Sequence, residues 1–447
     1  MPKELFGTDG IRGTPGTFPL DDATLYWTGR ALADYLREAT AAPRILIGTD
    51  TRESGRHIAE QIARGARDAG LECAFAGVIT TPGVASLVRQ NGFSAGVVIS
   101  ASHNPWTDNG VKLFAGTGMK FPDAIEAKIE AQILASASQP VNAPAIKLAA
   151  DAKIDEAYLT FLHGRLLPGA KLAGMRMVLD CANGAASALA PELFRDLGAD
   201  VVAIHHRPDG RNINDGCGSL HPESMQKKVV ESKAALGVAF DGDADRAIFS
   251  TATGKLVDGD GVLLAMARWM KAAGALKSGT VVGTTMANLG LEKALAAEGL
   301  TLAREPVGDR YVLEGMQRIG ANLGGEQAGH IIFLDDAPTG DGMLTALKIA
   351  SLVALEGPLE ELVRGLRVFP QTIVNVRVRS KPPLDSLPEV ARALAQANRA
   401  LDGAGRVVLR YSGTEQLARV MVEAEQQQDV NRWSNAIANA IRSSIGV

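Results

Sequence analysis

The strongest chemical signal in the sequence is the acidic cluster DGDADR, which follows an apolar run. Its three carboxylates, Asp241, Asp243 and Asp245, repel one another, so their spacing predicts a bound cation. Oxygen ligands favour Mg²⁺ or Ca²⁺. The loop is not an EF-hand, because Arg246 and Ala252 stand where that motif needs glycine and glutamate. Three protein ligands leave part of the coordination shell to water or a phosphate oxygen, as is common for Mg²⁺. The alternative is a solvated acidic turn.

A second candidate is Ser102, in the stretch ASHNP that follows the apolar run 94–100. Loops beyond the carboxyl ends of parallel strands are where α/β proteins bind ligands, so Ser102 is a candidate nucleophile on an exposed loop. His103 is a candidate base, although neighbours on an extended chain point in opposite directions. Taken alone, the Asn-Pro pair and the polar composition favour an ordinary turn slightly over a nucleophile.

Further turns combine glycine with charged side chains. Arg410 and Ser412 lie in RYSGTE, whose guanidinium and hydroxyls suit a phosphate dianion, although Ser-Gly-Thr is also common turn chemistry. Glu326 and His330 lie in GGEQAGH, where the histidine is as readily a packed core residue as a proton carrier. The sequence has no P-loop, GxGxxG, HExxH or GxSxG motif, which argues against the corresponding nucleotide-binding and hydrolytic enzymes.

Composition narrows the class of protein. The chain has 447 residues, a net charge of −4 and a sequence pI near 6.0, which disfavours a nucleic-acid binder. Its three cysteines show no CxxC spacing, so neither a disulfide framework nor a zinc site is expected, and a reducing cytoplasm fits. The segment 1–13 lacks the apolar stretch of a signal peptide, and no uncharged apolar run is long enough to span a membrane.

Short apolar runs alternate with amphipathic stretches for most of the chain, which predicts an α/β protein with parallel or mixed sheets. Runs such as Leu236–Phe240 and Thr280–Thr284 read as strands. This alternation of predicted strands and helices repeats in three segments. The tail shows a different pattern, which predicts a smaller α+β domain after a linker near Phe369. The four predicted segments are 1–152, 153–252, 253–366 and 367–447.

Taken together and in this order, these motifs resemble those of the α-D-phosphohexomutase family over essentially the whole chain. The matching segments are FGTDGIRG (6–13), ISASHNP (99–105), DNGVKLF (108–114), DCANGA (180–185), DGDADR (241–246), GDRYV (308–312), GGEQAGH (324–330), TGDG (339–342) and RYSGTE (410–415). The resemblance implies three similar mixed-sheet α/β domains and a smaller C-terminal α+β domain around a central cleft, each domain contributing one loop to the site.

The resemblance also implies a role for each matching residue. Ser102 would carry the phosphoryl group as phosphoserine and, with Asp241, Asp243 and Asp245, hold one Mg²⁺ per chain. The sugar would contact Glu326 and Gln327. The non-reacting phosphate would be gripped by Arg410, Ser412, Gly413, Thr414 and Arg419. Charge stabilisation and proton movement would fall to Arg12, His103, Lys112, Arg246 and His330.

The implied ligands are a hexosamine phosphate and its 1,6-bisphosphate, with no nucleic acid and no membrane as partner. The enzyme would be cytoplasmic and would supply glucosamine 1-phosphate for UDP-N-acetylglucosamine and cell-wall synthesis. Ser102 would first be phosphorylated by an activating kinase or by autophosphorylation. Three alternatives stay open: the same chemistry on glucose or mannose phosphates, a phosphosugar-binding regulator without turnover, and a phosphatase. Ala328, Tyr411 and Gln416 depart from the family pattern and bear on sugar preference and affinity.

Overall fold

Four β-sheets follow one another along the chain in the computed structural model, which describes residues 4–7, 9–412 and 416–447. The first sheet is mixed, with the strand order β1-β2-β6-β5-β3-β4. Its elements are β1 (Phe6–Gly7), β2 (Gly10–Gly13), α1 (Asp22–Ala39), β3 (Arg44–Thr49), α2 (Gly55–Asp68), β4 (Glu72–Val78), α3 (Thr81–Gln90), β5 (Ala95–Ile99), β6 (Asn109–Ala115) and α4 (Asp123–Ser136).

The second sheet is also mixed, with the order β11-β10-β9-β7-β8, in which β7 pairs in parallel with β8 and β9. A short 3-10 helix, Gly218–Leu220, precedes α7. The elements of this segment are α5 (Ala152–His163), β7 (Arg176–Asp180), α6 (Ala186–Asp196), β8 (Asp200–Ile204), α7 (Glu223–Ser232), β9 (Leu236–Phe240), β10 (Ala247–Thr251) and β11 (Leu256–Val257).

The third sheet has the order β13-β12-β14-β15 and is parallel except for the β14–β15 pair. Its strands and helices complete the large hydrophobic core to which the first, second and third segments all contribute. They are α8 (Gly259–Ala272), β12 (Thr280–Thr284), α9 (Leu289–Ala297), β13 (Thr301–Glu305), α10 (Asp309–Ile319), β14 (Leu323–Gly325), β15 (Ile331–Phe333), α11 (Gly342–Glu356) and α12 (Leu359–Leu362).

The tail forms an antiparallel sheet, β16-β18-β17, with its own core and two helices against it. The elements are β16 (Gln371–Arg377), α13 (Pro388–Ala400), β17 (Gly405–Tyr411), β18 (Leu417–Ala424) and α14 (Gln427–Ile445). The predicted fold class is therefore confirmed: three mixed-sheet α/β units and a smaller α+β unit. The boundaries between the four segments stay predictions.

Local chemistry explains where the site-bearing elements begin and end. The strands β5 and β9 are buried along their whole length, as continuous apolar runs inside a sheet should be. The helix α3 begins where the Thr80 side chain accepts from Gly83 N, with Pro82 in the first turn. In the described part of the chain, no helix is both long enough and apolar enough to cross a bilayer.

Candidate active site

Ser102 lies in a sharp turn just after β5, where its backbone φ is 50°. Only 2% of the residue is exposed, and its Oγ donates a 2.6 Å hydrogen bond to Asp241 Oδ2. Two expectations from the sequence are wrong here: the serine is not on an exposed loop, and His103 does not point away from it. The left-handed turn brings His103 Nδ1 to 3.4 Å from Ser102 Oγ, because the chain at this point is not extended.

Arg52, a buried arginine that was not predicted from the sequence, holds the serine turn in place. Its guanidinium donates to the carbonyls of Ser102 (3.0 Å) and Asn104 (2.8 Å), and also to those of Pro105 and Asp108. Asp50 pairs with the same guanidinium at 2.9 Å, and both side chains are fully buried. One planar cation with several donors thus fixes the path of the main chain around the nucleophile.

The serine turn and the acidic loop pack together through their backbones. A Cβ added at Gly242 would lie 2.5 Å from the carbonyl oxygen of Ser102. A Cβ at Gly184 would collide with the carbonyl of Gly242, to which Ala185 N donates at 2.8 Å. Asn214 completes the contact from the second segment, since its Nδ2 donates to the Ser102 carbonyl at 2.9 Å.

The three aspartates form the metal-binding geometry that the sequence predicted. One oxygen each of Asp241, Asp243 and Asp245 lies within 4.8 Å of the others, in a fully buried position. Oδ1 of Asp243 and Oδ1 of Asp245 are buried without a hydrogen-bond partner. Buried orphan carboxylate oxygens are costly unless a cation meets them, so an Mg²⁺ ion fits these residues. Burial, with the charges of Asp245 and Asp243, raises the pKa of Asp241 well above its usual range.

A buried lysine balances part of this negative charge. Lys112 Nζ donates to Asp243 Oδ2 at 2.9 Å and lies 3.2 Å from Asp9 Oδ2. Burial alone would lower the pKa of Lys112, but Asp243 and Asp9 outweigh it, so the pKa is raised and the ammonium stays charged. Thr81 anchors the same carboxylate from the start of α3, with a 2.5 Å bond from its hydroxyl to Asp243 Oδ2.

His330 is buried beside Asp245 of the acidic loop. Its Nδ1 is 3.6 Å from Asp245 Oδ2, and its Nε2 accepts from Gly340 N at 3.1 Å. That bond needs an unprotonated Nε2, so the proton of the neutral ring points at Asp245. Burial would lower the pKa of His330, but the interaction with Asp245 outweighs it and the pKa is raised. In this arrangement His330 orients Asp245.

Two arginines stand at the open side of the site. Arg246 Nη1 lies 3.4 Å from His103 Nδ1, and Arg246 Nε lies 3.6 Å from Asp245 Oδ1. Arg12 pairs with Asp9 at 2.5 Å. Burial, followed by the charges of Arg246 and Arg12, lowers the pKa of His103, so this ring is neutral near pH 7. A neutral imidazole beside cations can accept a proton from the serine.

The GGEQAGH turn joins β14 to β15 and faces the metal loop. Glu326 Oε1 accepts from Gly308 N at 3.1 Å, which positions a half-exposed carboxylate. The carbonyl of Gln327 accepts from Gly259 N at 2.9 Å, and the carbonyl of Gly329 accepts from Ala247 N at 3.1 Å. These main-chain bonds fix the turn against Gly259 in the same segment and Ala247 in the second segment, while the Glu326 and Gln327 side chains stay partly exposed.

The tail contributes a separate cationic cavity of about 310 Å³. Arg410 on β17 stands directly opposite Arg419 on β18, and both line this cavity with Asn375. Burial and the charge of Arg419 lower the pKa of Arg410. Ser412 is buried at the end of β17, and Lys381 Nζ donates to its carbonyl at 2.8 Å. The predicted phosphate contacts Gly413 and Thr414 lie outside the described residues.

Lys120 is a further residue that the sequence reasoning missed. It donates to Asp9 at 2.6 Å and to Asp309 at 2.7 Å, which connects the first and third segments beside the site. Arg52 had a usable signal, because Asp50 and Arg52 directly follow the strand β3. Thr81 and Asn214 had none, since their partners lie more than 100 residues away.

Family models match the chain in four consecutive blocks. They are described as phosphoglucomutase/phosphomannomutase alpha/beta/alpha domain I (residues 3–140), domain II (156–254) and domain III (258–368), and as the C-terminal domain of the same family (373–440).

Individual relatives agree with these models. The chain is 52% identical to a phosphoglucosamine mutase of Solibacter usitatus (strain Ellin6076), with all of both chains covered. It is also 52% identical to one of Koribacter versatilis (strain Ellin345), covering all of this chain and 98% of that one. Among solved structures, a phosphoglucomutase/phosphomannomutase family protein of Burkholderia thailandensis has a TM-score of 0.79 at 22% identity, covering 98% of this chain and 99% of that one. At 22% identity, this structural similarity shows a shared fold and nothing more.

Proposed function

Because the chain belongs to the phosphoglucomutase/phosphomannomutase family, we propose that it interconverts glucosamine 6-phosphate and glucosamine 1-phosphate through phosphorylated Ser102. The observation that carries this proposal is the 2.6 Å contact between Ser102 Oγ and the acidic loop. A hydroxyl in that position can carry a phosphoryl group whose oxygens complete the coordination shell of an ion held by the three aspartates.

The enzyme uses Mg²⁺, and Asp241, Asp243, Asp245 and phosphorylated Ser102 are the residues that would hold it. When bound, the ion neutralises negative charge on the phosphoryl oxygens. Lys112 pairs with Asp243 and lies next to Asp9, so its positive charge offsets part of the negative charge of the acidic loop. Arg246 offers its guanidinium at the open side, where charge develops on the phosphoryl group during transfer.

The reaction has two halves. In the first, the bond between phosphorus and Ser102 Oγ breaks, and one forms to the O1 hydroxyl of glucosamine 6-phosphate. That hydroxyl loses its proton, Ser102 Oγ gains one, and a 1,6-bisphosphate results. In the second half, the bond between phosphorus and O6 breaks and one forms to Ser102 Oγ; the serine hydroxyl loses its proton, O6 gains one, and glucosamine 1-phosphate results. Asp241, to which Oγ donates at 2.6 Å, and His103, 3.4 Å from Oγ, are the groups placed to take and return the serine proton.

The tail holds whichever phosphate is not reacting. Arg410 and Arg419 present two guanidinium groups to one cavity, and a phosphate dianion between them would relieve their repulsion. Since contacts to a phosphate do not depend on which sugar oxygen carries it, the bisphosphate can bind in either orientation. Glu326 and Gln327 then read the sugar hydroxyl and amino groups.

An activating kinase or autophosphorylation would supply the first phosphoryl group on Ser102. The three cysteines, Cys73, Cys181 and Cys217, are free thiols, which suits a reducing cytoplasm.

The deciding experiment is ³¹P NMR of the phosphorylated enzyme with Mg²⁺ and a trace of bisphosphate, in separate tubes with glucosamine, glucose and mannose 6-phosphates. We expect the 1-phosphate resonance to grow fastest from glucosamine 6-phosphate. Faster growth from glucose or mannose would overturn the sugar assignment and leave the mechanism. Release of inorganic phosphate instead of a 1-phosphate would identify a phosphatase.

A further inference from the structure

A second group of metal-ligating side chains comes together in the second segment, apart from the serine and its aspartates. Asp180 ends β7, His205 follows β8, and Cys217 precedes the 3-10 helix Gly218–Leu220. One ligand atom of each lies within 4.8 Å of the other two. The cysteine spacing of the sequence argues against zinc, but here the fold assembles a carboxylate, an imidazole and a thiol from three separate loops.

The group is held together by an ion pair. His205 Nδ1 lies 3.0 Å from Asp180 Oδ2, and the same carboxylate oxygen accepts from Gly218 N at 3.1 Å. In a tetrahedral zinc site with bonds of about 2.0–2.3 Å, neighbouring ligand atoms are roughly 3.3–3.6 Å apart. Asp180 and Cys217 are buried, whereas 32% of the His205 side chain is exposed, which leaves an entry path from solvent.

We propose that Asp180, His205 and Cys217 form a second metal site for a borderline-soft divalent ion such as Zn²⁺, with water as the fourth ligand. A thiolate and an imidazole do not suit Mg²⁺, which prefers oxygen. On binding, Cys217 loses its S–H proton and His205 loses its Nδ1 proton, both to solvent, and a sulfur and a nitrogen lone pair bind the ion without any change of oxidation state.

Metal binding at this site would affect the serine turn through the loop 205–217, which begins at His205 and ends at Cys217. The middle of the loop contacts the first segment, where Gly210 O accepts from Glu53 N at 3.0 Å. Asn214, near its end, donates to the carbonyl of Ser102. An ion that ties both ends of the loop to Asp180 would restrain these contacts.

The test uses the full-length enzyme in excess Mg²⁺, titrated with Co²⁺ as a spectroscopic substitute for Zn²⁺. We expect a near-ultraviolet thiolate-to-cobalt charge-transfer band and tetrahedral visible bands that saturate at one Co²⁺ per chain. Cys217→Ser abolishes the charge-transfer band. His205→Gln lowers the Co²⁺ affinity about 10-fold or more, as expected for loss of support at a metal site. Cys73→Ser, at a half-buried cysteine outside the group, is the matched control and keeps the band.

Absence of a charge-transfer band in the wild-type enzyme overturns the proposal, as does a band that survives Cys217→Ser but not Cys73→Ser. If circular dichroism shows that Cys217→Ser does not fold, His205→Gln is the deciding variant, because the His205 side chain is partly exposed and its replacement should be tolerated. Unchanged Co²⁺ affinity in His205→Gln would overturn the proposed site. The readout is a spectrum of the protein, so it stands whether or not the glucosamine phosphates prove to be the substrates.

Discussion

Ser102 Oγ and Asp241 Oδ2 are joined by a 2.6 Å hydrogen bond between loops that lie 139 residues apart in sequence. The contact places the hydroxyl proposed to carry the phosphoryl group against the carboxylates of the candidate metal site. Because Ser102 takes a left-handed backbone conformation to make it, the turn stores local strain at the reacting residue.

Replacing Ser102 tests both the chemistry and the strain. Ser102→Ala should abolish turnover, because no nucleophile remains. Ser102→Gly should be equally inactive but more stable than the alanine variant by about 1 kcal/mol, since a positive φ favours glycine. Turnover is followed by ³¹P NMR and stability by urea unfolding. Activity in either variant would refute the phosphoserine mechanism, and equal stability of the two would refute the strain.

Arg52→Lys should disorganise the serine turn. A lysine keeps the charge near Asp50 but cannot donate to four carbonyls at once. We expect kcat/KM to fall by about 10²-fold, the cost of a small misplacement of reacting groups. The control is Arg56→Lys on the neighbouring helix, where an exposed arginine pairs with Glu60 and should tolerate lysine. Equal kinetics for the two variants would contradict the positioning role.

Removing Mg²⁺ with a chelator should stop turnover and lower stability. At a free Mg²⁺ concentration 100-fold above its Kd, binding should stabilise the folded enzyme by about 2.7 kcal/mol. Asp241→Asn should lose most of this increment in a thermal melt. Because the raised pKa of Asp241 lets a proton compete with the ion, Mg²⁺ affinity should fall as the pH falls. The same Mg²⁺ increment in the variant would show that the ion binds elsewhere.

Arg410→Gln should weaken binding of every phosphosugar. A charge-assisted hydrogen bond contributes about 1.5–3 kcal/mol, so KM should rise roughly 10- to 100-fold. The change in kcat should be smaller, because this phosphate does not react. Arg399→Gln, at an exposed position on α13, is the control and should leave KM unchanged. Initial rates over a range of glucosamine 6-phosphate concentrations separate the two parameters.

Asp341 should make stability depend on pH. Burial raises the pKa of Asp341 from 3.8 to about 6, although Leu344 N and the Tyr158 hydroxyl donate to it. A raised carboxyl pKa means that the folded state binds the proton more tightly than the unfolded state. This contribution is therefore complete below about pH 4 and is lost as the pH rises through 6, a change of about 3 kcal/mol.

Asp341→Asn should remove that dependence, because the amide cannot ionise. The measurement is the unfolding free energy of both proteins in urea between pH 4 and 7. The wild type should lose stability relative to the variant over this range. A constant difference between them would contradict the raised pKa.

The sequence was sufficient to predict the fold class, several elements and the residues that the site brings together. The strands Leu236–Phe240 and Thr280–Thr284 occur at the predicted bounds, because buried strands are continuous apolar runs. Ser102 and the aspartates carry local motifs, so they could be found without coordinates. Arg52 has a local signal, since it follows the strand β3, but its partners are main-chain carbonyls about 50 residues away, so the sequence does not show what it binds. The burial of Ser102 and the direction of His103 follow from a left-handed turn and its packing against the acidic loop, which no local sequence pattern displays.

The backbone packing at Gly242 and Gly184 has a consequence for how such an enzyme can diverge. The serine turn meets the acidic loop through main-chain atoms, with no room for a side chain between them. A side chain at either glycine would therefore disturb the reaction centre, whereas Glu326, Gln327 and the neighbouring Ala328 lie on a turn whose side chains are at least partly exposed. Natural variation can thus retune the choice of sugar through that turn while phosphoryl transfer is inherited unchanged.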